Sequence, residues 1–544
     1  MENAPPHSSN VARFLPERAA SQPEAIALKI PRRSKGRLTY EDVTFRELDR
    51  AVDRRCRYLT AGGIHRGQRV LLMVRAGKDL IVLVFALFKI GAVPVLIDPG
   101  MGLRGFLRCL ERTQPEAMVA IPLGRAAAFL FRMAFRSVTV RLGPGADDAD
   151  EPDTGGESFP TAACAAVDAA AVLFTSGSTG PAKGVCYEHG MFEAQVRAIR
   201  DHYGIEPGEI DLPMLPVFAL FNPALGMTTV VPEMNPSRPA EVDPARIVEA
   251  VQTCGVTNSF GSPVLWKKIG AHCEANGIRL PSLRRILMAG APVPPALVAT
   301  YRDILEGGEI HSPYGATEAL PVSSISGREI LEETRSATEG GAGTCVGRPF
   351  PEIRVRVVPI LEGRMTRISA GCPAGEIGEI LVAGPVVTRA YDRLPEATAA
   401  AKVEEGETLW HRMGDAGYLD DDGRLWFCGR VAERVVTSET TLYTDCCEAV
   451  FNQVDGVFRS ALIGLGARGR QTPALVIQPE SEAFPGNDQE KRDFIRRLSE
   501  RGSRYDITRD IRTFFFHRRF PVDVRHNAKI HRLTLARKYS KHVS

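Results

Sequence analysis

Residues 44–97 alternate amphipathic helical stretches with short apolar runs, and few folds accommodate that order. Thr44-Phe45-Arg46-Glu47 reads as a capping box that opens a helix. Phe45, Leu48, Val52, Cys56 and Leu59 then fall on one helical face, and Gly62-Gly63 ends it. Val70-Leu71-Leu72-Met73-Val74 reads as a buried strand. The apolar stretch over residues 80–97 is broken by Lys89, Gly91 and Pro94. It therefore reads as a buried helix ending near Ile90 and a strand Val93–Ile97, and not as a membrane span. The alternation predicts an α/β fold, with parallel-type sheets flanked by helices.

A chain of 544 residues exceeds one ordinary domain of about 100–200 residues. Residues 143–170, rich in Asp, Gly, Pro, Ala and Glu, read as a surface connection into the strand Ala171-Val172-Leu173-Phe174. Asp420-Asp421-Asp422-Gly423 reads as a turn between two short strands. After Gly429-Arg430 the pattern changes to short strands near residues 461–463 and 474–477 and a helix near 488–498. This predicts a large domain over residues 1–429 and a small α+β domain over 430–544. No internal repeat is evident. Lys and Arg number 68 against 65 Asp and Glu, a net charge of +3, too neutral for a protein built around a nucleic-acid backbone. The 11 cysteines include no Cys-x-x-Cys pair, and the vicinal Cys446-Cys447 reads as buried thiols. Residues 1–20 hold no apolar run of signal-peptide length. A reduced, cytoplasmic protein without a transmembrane segment is expected.

The run Phe174-Thr175-Ser176-Gly177-Ser178-Thr179-Gly180-Pro181-Ala182-Lys183-Gly184 carries the clearest chemistry. A strand leads into hydroxyl side chains, glycines and a lysine. Glycines let backbone N–H groups approach a phosphate, hydroxyls add donors, and Lys183 supplies a point charge. It is not a Walker A loop, because Lys183 is followed by Gly184-Val185 and not by a Ser or Thr opening a helix.

This loop resembles that of the adenylate-forming superfamily, which includes acyl-CoA synthetases, luciferases and peptide-synthetase adenylation domains. Further matches follow in the family's order: Tyr314-Gly315-Ala316-Thr317-Glu318, Gly378-Glu379-Ile380, Gly414-Asp415, Gly429-Arg430 and Asn527-Ala528-Lys529-Ile530. The resemblance implies a large domain with a β-barrel-like part, followed by a small mobile domain. It implies that Thr175, Ser176, Gly177, Ser178, Thr179, Gly180 and Lys183 bind the phosphates of ATP. Thr317 would donate to the α-phosphate and Glu318 would hold Mg²⁺. Tyr314 would stack on the adenine, with Gly290-Ala291-Pro292 walling its other side, and Gly315 would belong to the ATP site. Asp415 would take the ribose hydroxyls with Arg430 beside it. Lys529 would reach from the small domain to bridge acyl carboxylate and phosphate. Taken singly, Asp415 also reads as a turn cap and Lys529 as a surface cation.

Three departures from the family pattern bear on the acceptor. Ala219 follows Phe218 where a His is common, Ala432 stands at the hinge position, and the loop from Val435 to Tyr443 contains no glycine. These weaken a thiol-acceptor reading without removing it. A narrower resemblance, carried by Pro216-Val217-Phe218-Ala219-Leu220-Phe221-Asn222-Pro223, Phe260-Gly261-Ser262-Pro263, Gly341-Ala342-Gly343-Thr344 and Phe520-Pro521-Val522-Asp523, is to the olefin β-lactone synthetases. It implies adenylation of a (2-alkyl-)3-hydroxy fatty acid, then attack by the substrate's own 3-hydroxyl, with release of AMP and pyrophosphate. It also implies company with other enzymes of an olefin or β-lactone pathway. A long-chain acyl-CoA synthetase or acyl-AMP ligase is the alternative, and an inactive pathway partner a third reading. Phe218, Phe221, Phe260 and Met288 are expected to line an acyl pocket, with ordinary core packing as the competing reading. The basic tail from Arg509 to Arg532 reads as a solvated face around Lys529, and His526 and His531 as alternative bases for the hydroxyl. Gly464-Leu465-Gly466-Ala467-Arg468-Gly469 runs into Thr472-Pro473 with no helix, so no Rossmann site is expected there.

Overall fold

The computed structural model describes residues 8–145, 157–175, 182–235, 238–523 and 529–540. The capping box forms as expected: Thr44 and Glu47 bond each other's backbone at the start of helix Phe45–Ala61. Helix Lys78–Ile90 is buried from Leu80 onward, and left-handed Gly91 turns the chain into strand Val93–Ile97. Lys89 is buried with it, in ion pairs with Asp53 and, at 3.2 Å, Asp49.

Among the described residues four sheets result, one of them only the two-stranded pair Val435–Val436 and Thr441–Leu442. The first runs Val140–Leu142, Ala117–Ala120, Arg69–Met73, Val93–Ile97, Ala169–Thr175 and Lys183–Glu188, parallel except for the last strand. The second has fourteen strands. Its parallel half, in order, is Ile26–Ser34, Thr228–Val230, Ile210–Pro213, Asn258–Gly261, Arg285–Met288 and Glu309–Ala316. Helices such as Pro263–Asn276 and Pro295–Ile304 join the parallel strands, and Trp266 and Tyr301 sit fully buried in the core they share. An antiparallel half continues it: Ala319–Ser326, Thr344–Pro349, Leu425–Arg430, Thr408–Leu419, Gly378–Ala383 and Arg354–Val358. Helix His189–Tyr203 lies between the two sheets, its Phe192 packed on the core of the first and its Ala194 and Val196 sharing a core with Ala319 and Val322 of the second.

The third sheet is small: Val457–Leu465, Thr472–Pro479 and Thr513–Phe516, with helices Thr444–Phe451, Asp488–Gly502 and Arg532–Ser540 around it. The residues after Leu465 turn directly into the next strand, as the Gly464 to Gly469 run predicts. All 11 cysteines are free, and Cys446 and Cys447 are buried.

One join within the antiparallel half, on the path from the strand of Tyr314 to the strand of Asp415, rests on few residues. Strand Ala319–Ser326 pairs with Thr344–Pro349 only at Ser323↔Pro349 and Ser324↔Arg348. Next to this join Gly347 has φ +79°, and a Cβ there would lie 1.8 Å from the Ser324 carbonyl oxygen. Backbone cannot yield as a side chain would. Gly347→Ala is therefore expected to lower stability by more than about 2 kcal/mol, read as a lower urea midpoint.

Candidate functional site

A cavity of about 1590 Å³ opens where the carboxyl ends of the parallel strands of the long sheet meet the first sheet and the small domain. This is where open α/β sheets bind ligands, because the loops there leave a crevice. Phe260, Leu287 and Tyr314 come to it from three of those strands, and Ala289, Gly290, Ala291 and Pro292 follow one of them directly. Gly315, Thr317, Glu318, Lys183, Asp415, Arg430 and Lys529 also line it. The structure thus gathers candidates spread from residue 183 to 529 around one space.

Asp415 is the best-anchored of them. It is 4% exposed and accepts two 2.6 Å hydrogen bonds, from the Tyr314 hydroxyl to Oδ2 and from Arg430 Nη1 to Oδ1. Arg430 faces Asp415 across the ladder of strands Thr408–Leu419 and Leu425–Arg430. The same Nη1 reaches the Met413 carbonyl at 3.2 Å. Asp415 raises the Arg430 guanidinium further above its ordinary value. Burial, with Asp415 adding to it, holds the Tyr314 phenol well above its usual range.

Glu318 lies in a second polar group. Its Oε1 accepts from the Tyr391 hydroxyl at 2.8 Å, and its backbone oxygen accepts from Thr388 N at 2.9 Å and Thr388 Oγ1 at 3.0 Å. Lys183 Nζ stands 4.5 Å from the centre of the Tyr391 ring. The Tyr187 hydroxyl donates to the Thr317 carbonyl at 2.6 Å, tying the first sheet to this turn. Behind Glu318, Lys402 donates to Thr388 Oγ1 at 3.3 Å. Burial pushes its ammonium down to about 7, opposed by Glu318. His411, opposite Lys402 in the ladder, lines the cavity with Nδ1 3.2 Å from the Ala401 carbonyl. Burial keeps that imidazole neutral. Sequence reasoning missed Tyr187, Tyr391, Lys402 and His411: single polar residues on strands or loops, they carry no spacing signal.

Thr175 and Lys183 pair across strands Ala169–Thr175 and Lys183–Glu188. Ser176, Gly177, Ser178, Thr179 and Gly180 lie outside the described residues, as does His526. Lys529 lies beside Asp523, with Lys529 N donating to Asp523 Oδ1 at 2.9 Å. His531 does not line the cavity. The basic tail departs from a purely solvated face: Arg532 lines the cavity and bonds Glu433 at 3.0 Å and Glu448 at 2.6 Å.

On the apolar side Phe218, Phe221 and Phe260 line the cavity, with the rings of Phe218 and Phe260 stacked 3.7 Å apart. Met288 does not. It is fully buried in the core with Trp266 and Val298, because strand alternation sends Leu287 to the cavity and its neighbour to the opposite face. Among the further polar residues that line the cavity are Asp211 and Asn222. Asn222 Nδ2 donates to Asp211 Oδ2 at 2.9 Å and to Thr229 Oγ1 at 2.8 Å. An aspartate inside the apolar run Ile210-Asp211-Leu212-Pro213 was the available signal.

Two outcomes follow from this geometry. Tyr314→Phe keeps the ring but removes the bond that aims Asp415; ATP affinity is expected to fall about tenfold by calorimetry. Burial pushes the Asp211 carboxyl up to about 7 from an ordinary 3.8. Between those values the folded state holds a proton that the unfolded state has released, so wild-type stability falls as pH rises across that window. Asp211→Asn removes this fall, and its urea midpoint should gain on the wild type's from the acid to the neutral end of the window.

Comparison with known proteins identifies the family. Residues 15–392 match the family model described as "AMP-binding enzyme". The chain is 46% identical to the olefin beta-lactone synthetase of Stenotrophomonas maltophilia, with 97% of each chain covered. It is 43% identical to that of Xanthomonas campestris pv. campestris, again over 97% of each. Among solved structures, the amide bond synthetase McbA from Marinactinospora thermotolerans superimposes with TM-score 0.79 at 24% identity, covering 98% of this chain and 99% of that one. The O-succinylbenzoate coenzyme A synthetase MenE from Bacillus subtilis, in complex with AMP, does so with TM-score 0.76 at 21% identity, covering 96% and 97%. The structural likenesses establish the fold; the sequence matches place the chain in the AMP-binding enzyme family, among the olefin beta-lactone synthetases.

Proposed function

We propose that the chain is an ATP-dependent β-lactone synthetase acting on a (2-alkyl-)3-hydroxy fatty acid. The observation that carries this reading is a single cavity lined by Asp415, Arg430 and Tyr314, by Lys183, Glu318 and Lys529, and by the stacked rings of Phe218 and Phe260. A nucleotide and an apolar acid placed there lie next to each other. Residues 1–429 would bind both, and residues 430–544 would bring Lys529 to them.

In the first half-reaction a carboxylate oxygen of the acid bonds to the α-phosphorus of ATP, and the bond to pyrophosphate breaks. Lys183 and Lys529 neutralise charge that spreads over the phosphates and the acyl oxygen. Asp415 accepts from the ribose hydroxyls, its carboxylate aimed by the bonds from Arg430 and Tyr314. In the second half-reaction the 3-hydroxyl oxygen bonds to the acyl carbon, the bond from that carbon to the AMP oxygen breaks, and the hydroxyl proton passes to a base. Electrophile and nucleophile belong to one molecule, so the protein needs only to hold the chain folded and dry.

Glu318 suits Mg²⁺ carried on the triphosphate. The described residues contain no cluster of three or more His, Cys, Asp or Glu that would cage a resident ion, and one carboxylate beside phosphate oxygens is a usual magnesium environment. The ion would supply positive charge to the departing pyrophosphate.

Incubation with ATP, Mg²⁺ and a 2-alkyl-3-hydroxy acid should yield β-lactone, AMP and pyrophosphate without coenzyme A; a product that forms strictly with coenzyme A, as a thioester, would overturn the reading. Lys529→Ala should lower pyrophosphate release by at least about a hundredfold.

A further inference from the structure

Large apolar side chains stand out of the surface in one short stretch. Leu103 is 54% exposed, Leu123 77%, Phe129 66%, Leu130 74% and Met133 74%. They lie on helix Gly102–Thr113, on helix Pro122–Leu130 and on the turn after it. A single protruding leucine needs no explanation, whereas a cluster of this kind marks an interaction surface.

The same stretch concentrates positive charge. Residues 101–136 hold six arginines and two glutamates, in a chain whose net charge is only +3. Arg104, Arg108, Arg125, Arg132 and Arg136 are all exposed. Arg132 lies 4.3 Å over the Phe129 ring, so charge and apolar surface alternate at contact distance. The two helices rest on one buried cluster that includes Cys109, Leu110, Ala128 and Phe135.

The surface is continuous with the cavity. Leu103, Phe106, Leu107, Leu123, Ala127 and Phe131, from these same helices and the turn, belong to the wall of the space that Lys183 and Lys529 also line. An apolar wall running from an exposed, arginine-rimmed face to the reacting groups matches a guest that is itself part of a lipid layer. Arginine heads meet headgroup phosphates while leucine, phenylalanine and methionine enter the acyl boundary. No described helix is long and apolar enough to cross a membrane, so such contact would be made from one side.

We propose that the face formed by helices Gly102–Thr113 and Pro122–Leu130, with the turn through Arg136, docks on an anionic lipid bilayer and admits acyl chains from it into the cavity. The passage of acyl chains rests on the acyl-adenylating reading above; the docking does not.

Flotation of the full chain with vesicles tests the docking. The chain should float with vesicles of phosphatidylglycerol and phosphatidylcholine in equal parts, weaken as salt is added, and fail to float with phosphatidylcholine alone. The double variants L130E/M133E and R125Q/R132Q should each partition about tenfold more weakly or worse. F458E, exposed on the small domain, should partition as the wild type does. The variants should keep wild-type melting temperature and pyrophosphate release with a short, water-soluble 3-hydroxy acid, and lose turnover only on long-chain acid presented in vesicles. The proposal is overturned if the wild type does not float with anionic vesicles or if both double variants float equally well. It is also overturned if they change the mass of the chain in lipid-free solution, which would assign the face to a second copy. Absence of adenylation with intact flotation would sink the proposed reaction and leave the docking standing.

Discussion

The carboxylate of Asp415 is nearly sealed from solvent, and everything around it is arranged to satisfy its charge. An unpaired buried carboxylate is costly enough that it would protonate or unfold its surroundings. Here it takes one bond from Arg430, across the ladder, and one from Tyr314, 101 residues earlier on the last parallel strand. Those bonds require the parallel and antiparallel halves of the long sheet to meet in one register. The narrow join at Ser323 and Ser324, inside the antiparallel half and with Gly347 against it, lies on the path between Tyr314 and Asp415.

The cavity inherits its division of labour from the same geometry. Polar side chains arrive at the strand ends and from the hairpin that bears Asp415. Apolar ones arrive from the segment containing Phe218 and Phe221 and from the helices over the first sheet. The charged groups are cross-braced: Tyr187 holds the turn at Thr317, Tyr391 holds Glu318, and Arg532 locks Glu433 to Glu448 next to Lys529. A second layer, Lys402 and His411, sits behind the carboxylate side, both residues weakened as bases or held neutral by burial. These residues set the electrostatic background against which phosphate charge is handled.

Much of the fold was legible where a signal is local. The Thr44–Glu47 box, the helix ending at Ile90 and the hairpin after Asp420 all depend on neighbours a few residues apart, and the chain adopts them as read. The family motifs were legible as ordered runs, and the structure brings Lys183, Thr317, Glu318, Asp415, Arg430 and Lys529 to one cavity. The failures share a cause. Met288 and Leu287 are both apolar and adjacent; only the face that each side of the strand meets separates core from cavity. Arg532 looked like one more cation in a basic tail because its partners, Glu433 and Glu448, are 99 and 84 residues away.

The residue order alone therefore settled the α/β class and the family, since each rests on short-range periodicity or on contiguous motifs. Tertiary structure decided which polar groups share the site, that Asp211, Asn222, Lys402 and His411 belong beside it, and that the helices carrying exposed leucines and arginines over residues 101–136 also line the cavity. Side-chain direction and burial are set by packing between distant segments, and no local pattern encodes them.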